Sequence, residues 1–136
     1  MTLREQLIRD EGCKLRVYKD SRGIETIGVG RNLRDKGISQ HEADMLLDAD
    51  ILEYSAAVIA NLPWSLRLDE ARRAVLVNMA FNLGVRGLLG FRNMLAAVEA
   101  GQYDRAADEM MDSQWAGQVG ERAARLARQM QTGIWQ

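Results

Sequence analysis

The chain has 136 residues, 47% of them hydrophobic and 27% charged, with one Cys, one His and a formal net charge of −1. That length suits one domain, or one globule split into two small lobes, able to bury a core without staples. The lone Cys excludes an internal disulfide, the lone His leaves no ordinary zinc site and hence no expected metal or cofactor, and near-neutral charge argues against a nucleic-acid binder.

Helix starts are written plainly. Thr2 and Glu5 fit a capping box, Leu3, Leu7 and Ile8 form a short apolar stripe, and Gly12 is placed to end the helix. Leu15–Tyr18 and Ile24–Ile27 suit strands, and the turn-forming segment 19–23 between them makes a β-hairpin the economical reading. Gly28 and Gly30, flanking Val29, allow positive φ or close approach to the backbone. Their spacing does not read as a phosphate loop, because no strand, glycine loop and helix follow in the required order.

From Ser39 onward the pattern is helical. Ser39 and Glu42 form a second capping box, and apolar positions recur at helical spacing to about Asn61, where Pro63 follows. A helix of that length, roughly 30 Å, can connect two lobes. Asp69 caps a helix from Glu70 to Leu83 with Gly84 as terminator, and shorter helices follow near 92–100, 103–112 and 119–130, punctuated by Gly101, Gly117 and Gly133. Met45, Met79, Met94, Met110, Met111 and Met130 read as core filler, and Trp64, Trp115 and Trp135 as closing the helical lobe. His41 reads as exposed and Cys13 as packed. The fold class is α+β, mainly α: an N-terminal lobe over about 12–38, a connecting helix over 39–61, and a helical lobe over 64–136 on which helix 3–11 packs.

No apolar run approaches the roughly 18 residues of a membrane span, and the N-terminus is polar rather than signal-like. Synthesis and folding in a reducing cytoplasm are therefore expected. Charge is partitioned: +3 over residues 1–36, −6 over 37–70 and +2 over 71–136. Basic segments on both sides of a groove would make any action on an anionic substrate salt-sensitive.

Three polar residues fall where a helix runs into a hairpin: Glu11 at the helix end, Asp20 in the turn and Thr26 in the second strand. Two carboxylates facing one groove are the minimal equipment for glycoside hydrolysis, one protonating the leaving oxygen and the other managing water or sugar cation. By spacing alone such pairs are more often surface charges or caps. The surrounding text is more specific. Asp10-Glu11-Gly12, Tyr18-Lys19-Asp20, Gly23 and Thr26-Ile27-Gly28-Val29-Gly30 resemble the catalytic region of the phage-type lysozymes, glycoside hydrolase family 24. The resemblance resumes in Arg72-Arg73-Ala74, in 78–84, in Gly90-Phe91 and in Ser113-Gln114-Trp115, and ends with Arg122-Ala123 and 132–135.

That resemblance implies a lysozyme-like two-lobe fold with its active site between the lobes, acting on the β-1,4 bond between N-acetylmuramic acid and N-acetylglucosamine. It implies Glu11 as general acid in a partly desolvated setting, Asp20 as the ionised partner, and Thr26 as a holder of water, with inversion at the sugar. Gly30, Asn32, Phe81 and Asn82 lie where the family contacts glycan; by periodicity alone Phe81 fits core or groove equally. Met94 and Glu109 occupy further groove positions, with side chains that depart from the family's polar ones. Arg122 is expected toward Glu11 and Arg125 toward Asp10. Arg31 stands where relatives often carry His and is expected to reach Asp50, and the segment from Leu33 to Ser39 is short. The expected partners are bacterial peptidoglycan and a separate holin-like, membrane-permeabilising protein for access to the wall, with the chain a monomer. A lytic transglycosylase and a silent glycan-binding scaffold are the competing readings; the intact triad favours hydrolysis.

Overall fold

In the computed structural model, which describes residues 1–136, the chain opens with helix α1 (Leu3–Glu11). The capping box is formed in full: Thr2 Oγ1 accepts the Glu5 N–H at 3.2 Å and the Glu5 carboxylate accepts the Thr2 N–H at 2.6 Å. Two otherwise orphaned backbone donors are thereby satisfied within the first turn. Gly12, at φ 73°, ends the helix with its N–H on the Ile8 carbonyl. No residue of α1 is buried.

Three strands follow, β1 (Lys14–Lys19), β2 (Glu25–Gly28) and β3 (Arg31–Asn32), in one antiparallel sheet of order β1-β2-β3. The hairpin of the sequence is β1–β2. The third strand has two residues, too few for alternation to announce it. β1 is irregular: Lys14 opposes Gly28 and Tyr18 opposes Thr26, so β1 carries two more residues than its partner between those pairs. This bulge interrupts the ladder over Leu15, Arg16 and Val17.

Helix α2 (Gln40–Asn61) begins at the second capping box, with Ser39 Oγ accepting the Glu42 N–H at 3.1 Å and Glu42 Oε1 accepting the Ser39 N–H at 2.9 Å. The chain divides into two compact units within this helix, Met1–Leu46 and Leu47–Gln136, and α2 joins them. Only Thr26 is buried in the first unit.

The second unit holds the apolar core. After a 3-10 turn at Pro63–Arg67 come α3 (Glu70–Leu89), α4 (Arg92–Glu99), α5 (Tyr103–Met111), α6 (Gln114–Val119) and α7 (Glu121–Thr132). Val75, Leu76, Met79, Leu88, Met110 and Met130 are fully buried. Gly84 does leave helical geometry, at φ 78° and ψ 160°, but the chain resumes helical turns beyond it to Leu89. The helix expected over 119–130 is two helices, divided at Gly120 (φ 57°) and not at Gly117, which lies inside α6. Trp115 is buried, whereas Trp135 is exposed, as are Met45, Met111 and Cys13. Those four depart from the packed roles expected of them. Trp135 lies beyond the last helix, Met45 in the first turns of α2, Met111 at the end of α5 and Cys13 between α1 and β1. No single helix is long and apolar enough to cross a membrane.

Arg72 ties the start of α3 to the end of α7. Its Nε donates to the Met130 carbonyl at 2.6 Å and its Nη2 to the Gln131 carbonyl at 2.9 Å, while the guanidinium lies 3.6 Å from the Tyr103 ring centroid. The last carbonyls of a helix lack intrahelical donors and favour a cation, so a planar fork suits the position. Arg72→Ala should lower the unfolding free energy by about 2 kcal/mol. Arg72→Lys should recover less than half of that loss in urea titrations, because lysine cannot donate to both carbonyls in one plane; full recovery would reduce the role to charge alone.

Candidate active site

The hairpin turn is built around a carboxylate. Asp20 Oδ1 accepts the backbone N–H of Arg22 at 2.8 Å and of Ile24 at 3.0 Å, while the Asp20 N–H donates to the Ile24 carbonyl at 3.0 Å. Gly23, at φ 77°, lets the chain reverse within this loop. The N–H of Ile24 is the main reason the Asp20 carboxyl titrates below its usual range, with the Arg22 N–H and the charges of Arg22 and Arg34 acting in the same direction. Asp20 is thus ionised at neutral pH, with Oδ1 committed to the turn.

Thr26 sits opposite Tyr18 on β2 and is the one buried residue of this unit, at 3% exposure. Its hydroxyl donates to the Ile24 carbonyl at 2.8 Å. With that proton committed, the hydroxyl can only accept further hydrogen bonds. Glu25, its neighbour, takes a two-nitrogen fork from Arg34 at 2.9 and 3.0 Å. Arg34 Nη2 also reaches the Gly23 carbonyl, which links the segment after β3 to the hairpin turn.

Glu11 is the last residue of α1 and is exposed, where a partly desolvated setting was expected. The cause lies in α1 itself, which buries none of its residues. Glu11 lies against Gly30. A Cβ built on Gly30 would stand 2.8 Å from Glu11 Oε2 and 2.9 Å from its Cδ, and Gly30 has φ 64°. Both properties that glycine supplies are therefore in use at this position, positive φ and room for an approaching group. The group that approaches is the expected general acid. Gly28 has nearly the same φ, 67°, but a Cβ there would meet nothing within 4 Å.

Arg31, on β3, pairs with Glu42: Nη2 lies 2.6 Å from Oε2, Nη1 donates to Oε1 at 2.9 Å, and Nη1 also reaches the Gly37 carbonyl. Asp50 was the expected partner, but Glu42 comes first along α2, beside the short 33–39 connection that turns back toward β3. Arg31 and the Ser39 N–H together hold the Glu42 carboxyl at about 2, against an ordinary 4.5. The Asn32 amide is used locally, its Nδ2 donating to Asp35 Oδ2 and its Oδ1 accepting the Asp35 N–H. Asp10 pairs with the adjacent Arg9 at 2.9 Å.

Within the second unit, Phe81 is 41% exposed and packs against Tyr54 at a centroid distance of 5.4 Å, which removes it from the core. It lines an apolar groove of about 560 Å³ with Leu47, Ile51, Val77 and Trp135. Asn82 Oδ1 accepts the Trp115 indole N–H at 2.8 Å, fixing the amide so that its Nδ2 is free to donate. Met94 is 1% exposed and belongs to the core, yet it reaches the wall of a second cavity, of about 500 Å³, shared with Phe91, Glu109 and Trp115. Arg122 forks onto Asn78 Oδ1 at 2.7 and 3.1 Å, and Arg125 is exposed. The Glu11–Gly30 approach, the Arg34–Glu25 fork and Glu42 as an ion-pair partner were absent from the sequence reading. Glu42 left a trace there as a cap, and Gly30 as a position open to positive φ or close approach, without the approaching group being identified.

Gly30→Ala and Gly28→Ala impose comparable backbone strain, but only the first displaces Glu11. If Glu11 is the general acid that the resemblance implies, Gly30→Ala should lower the activity about a hundredfold while Gly28→Ala keeps most of it; equal losses would show that strain alone matters. The Glu42 carboxyl has a folded pKa below its unfolded one, so its stabilisation is complete above about pH 4.5 and fades as pH falls toward 2. Glu42→Gln should therefore be less stable than the parent near neutrality, and the two melting curves should converge on acidification through that window. A gap that does not narrow would contradict the assignment.

The sequence matches the phage lysozyme family over residues 9–132. It is 30% identical to the pre-baseplate central spike protein of Enterobacteria phage T4 across 98% of this chain, which spans only 28% of that protein's length. It is 28% identical to the protein named Probable T4-type lysozyme 1 of Dictyostelium discoideum, over 97% of this chain and 95% of the relative. The endolysin of Salmonella phage P22 is 29% identical over 78% of this chain and 76% of its own. The family match takes in Glu11, Asp20 and Thr26 together with the hairpin that carries them, and it extends through every helix of the second unit. The chain belongs to the phage lysozyme family.

Proposed function

We propose that this protein hydrolyses peptidoglycan, cleaving the β-1,4 bond between N-acetylmuramic acid and N-acetylglucosamine, with Glu11 as general acid and Asp20 and Thr26 as the pair that holds and activates water. The chief support is the hydrogen-bond bookkeeping of the hairpin. Asp20 is ionised with Oδ1 occupied by backbone N–H groups, and the Thr26 hydroxyl has spent its proton on Ile24. Both groups are then acceptors toward solvent. A water held by the two must donate both hydrogens, one to each, which leaves its oxygen lone pair free to attack.

The proton and electron movements follow from those roles. Glu11 gives its proton to the glycosidic oxygen as the bond from that oxygen to the anomeric carbon breaks. The water oxygen bonds to the anomeric carbon from the opposite face, and its proton passes to Asp20, which also opposes the positive charge growing on the sugar. The products are two saccharide ends that together contain one added water. Glu11 ends as a carboxylate and Asp20 as an acid, and exchange with solvent restores both.

Phe81 offers an exposed ring and Asn82 an amide whose Nδ2 remains available, a combination that suits stacking against and hydrogen bonding to a sugar. We read both as glycan contacts. Gly30 serves by admitting Glu11, and Asn32 by tying its own loop.

Glu11→Gln should lower hydrolysis of purified peptidoglycan by roughly a thousandfold with an unchanged melting temperature, since the amide keeps the shape and removes the proton. Thr26→Ser should retain activity that Thr26→Val loses. Released fragments should carry the mass of an added water. Parent-level lysis by Glu11→Gln, or products of anhydro mass, would reject this mechanism.

A further inference from the structure

The edge of the hairpin has a second chemical character that hydrolysis does not use. Between Lys14 and Arg22 stand four cations, Lys14, Arg16, Lys19 and Arg22, and one acid, Asp20. That acid is folded back onto backbone N–H groups. None of the four cations takes part in an ion pair. Among them Leu15 is 86% exposed and Val17 59% exposed. β1 is the outer strand of its sheet, and its two extra residues fall in this stretch.

We propose that the bulged edge of β1 docks the protein onto an anionic lipid bilayer. Leu15 and Val17 would enter the boundary between headgroups and acyl chains, while Arg16 and Lys19 meet lipid phosphates on either side. The interleaving of apolar and cationic side chains is what selects a bilayer over a soluble polyanion, which would reward the cations and leave Leu15 and Val17 in water. Pairing with a second copy of the strand is opposed twice, by the bulge that breaks the ladder and by like charges brought edge to edge. The cationic and apolar side chains of this strip are distinct from Glu11, Asp20 and Thr26, and the proposal does not depend on the hydrolytic reading.

The test is co-sedimentation of the full chain with large vesicles, one set made of phosphatidylcholine alone and one containing half phosphatidylglycerol. Binding should be confined to the anionic set and should decline with added salt. Leu15→Ser with Val17→Ser should weaken partition about tenfold, and Arg16→Glu at least fivefold, with circular dichroism and melting temperature unchanged. Equal binding to both vesicle sets, or parental partition by either variant, would overturn the proposal. So would displacement of the parent by dextran sulfate together with undiminished dextran sulfate binding by the Leu15/Val17 variant, which would assign the strip to an anionic polymer.

Discussion

A single carboxylate oxygen organises the first unit. Asp20 Oδ1 gathers the N–H groups of Arg22 and Ile24, and the loop they close fixes where β2 begins. Hairpins of this kind are commonly closed by residues at positive φ; here a side chain supplies part of the closure and Gly23 the rest. The register that follows places Thr26 opposite Tyr18, and the Thr26 hydroxyl then finds the Ile24 carbonyl. Turn geometry, strand register, the ionisation of Asp20 and the polarity of Thr26 thus share one origin. The same two hydrogen bonds that shape the loop also decide which atoms are left for chemistry.

The two units are stabilised by different means. In Leu47–Gln136, buried Val, Leu, Met and Ala side chains from α2, α3, α4, α5, α6 and α7, together with Trp115, form one continuous core. In Met1–Leu46 only Thr26 is buried, and order comes from caps, the Asp20 turn, the Arg34–Glu25 fork and the Arg31–Glu42 pair. Local polar interactions contribute little each, and exposed ion pairs least of all. They are directional, however, and a site needs direction more than it needs depth. The large core can carry the folding free energy while the small unit spends its interactions on placing a few atoms.

What the sequence disclosed follows the same division. Both capping boxes were legible because donor and acceptor lie within three residues of each other, so no tertiary information is required. Gly12 and the Asp69 cap were legible for the same reason. Gly84 showed where α3 breaks but could not show that helical turns resume, since that depends on burial of Leu88. Gly120 and Gly117 are equivalent as letters, and only the positive φ of the first makes it the break between α6 and α7. Glu42 was visible as a cap and invisible as the partner of Arg31, because the pairing depends on how the 33–39 connection returns the chain. The triad was legible as text, whereas the proton inventory that makes Asp20 and Thr26 co-acceptors requires the hairpin to be folded.

Net charge illustrates why totals mislead. Residues 1–36 carry nine cations, of which Arg9, Arg31 and Arg34 are paired with carboxylates. The acids are spent too: Glu5 is a cap, Asp20 is turned into its loop, and Asp10, Glu25 and Asp35 have partners. Glu11 alone among the acids of this segment has neither a cap nor a hydrogen-bonded partner in its unit. The remaining field is therefore a set of unpaired cations with one unpaired carboxylate among them. The proposed acid must carry a proton when it acts. A glycan laid over Glu11 would favour that form, by removing water from it and supplying an ether oxygen that accepts a hydrogen bond only from the protonated carboxyl. On the proposed reading the acid would be armed by its own substrate, and no permanently buried neighbour beside Asp20 would be required.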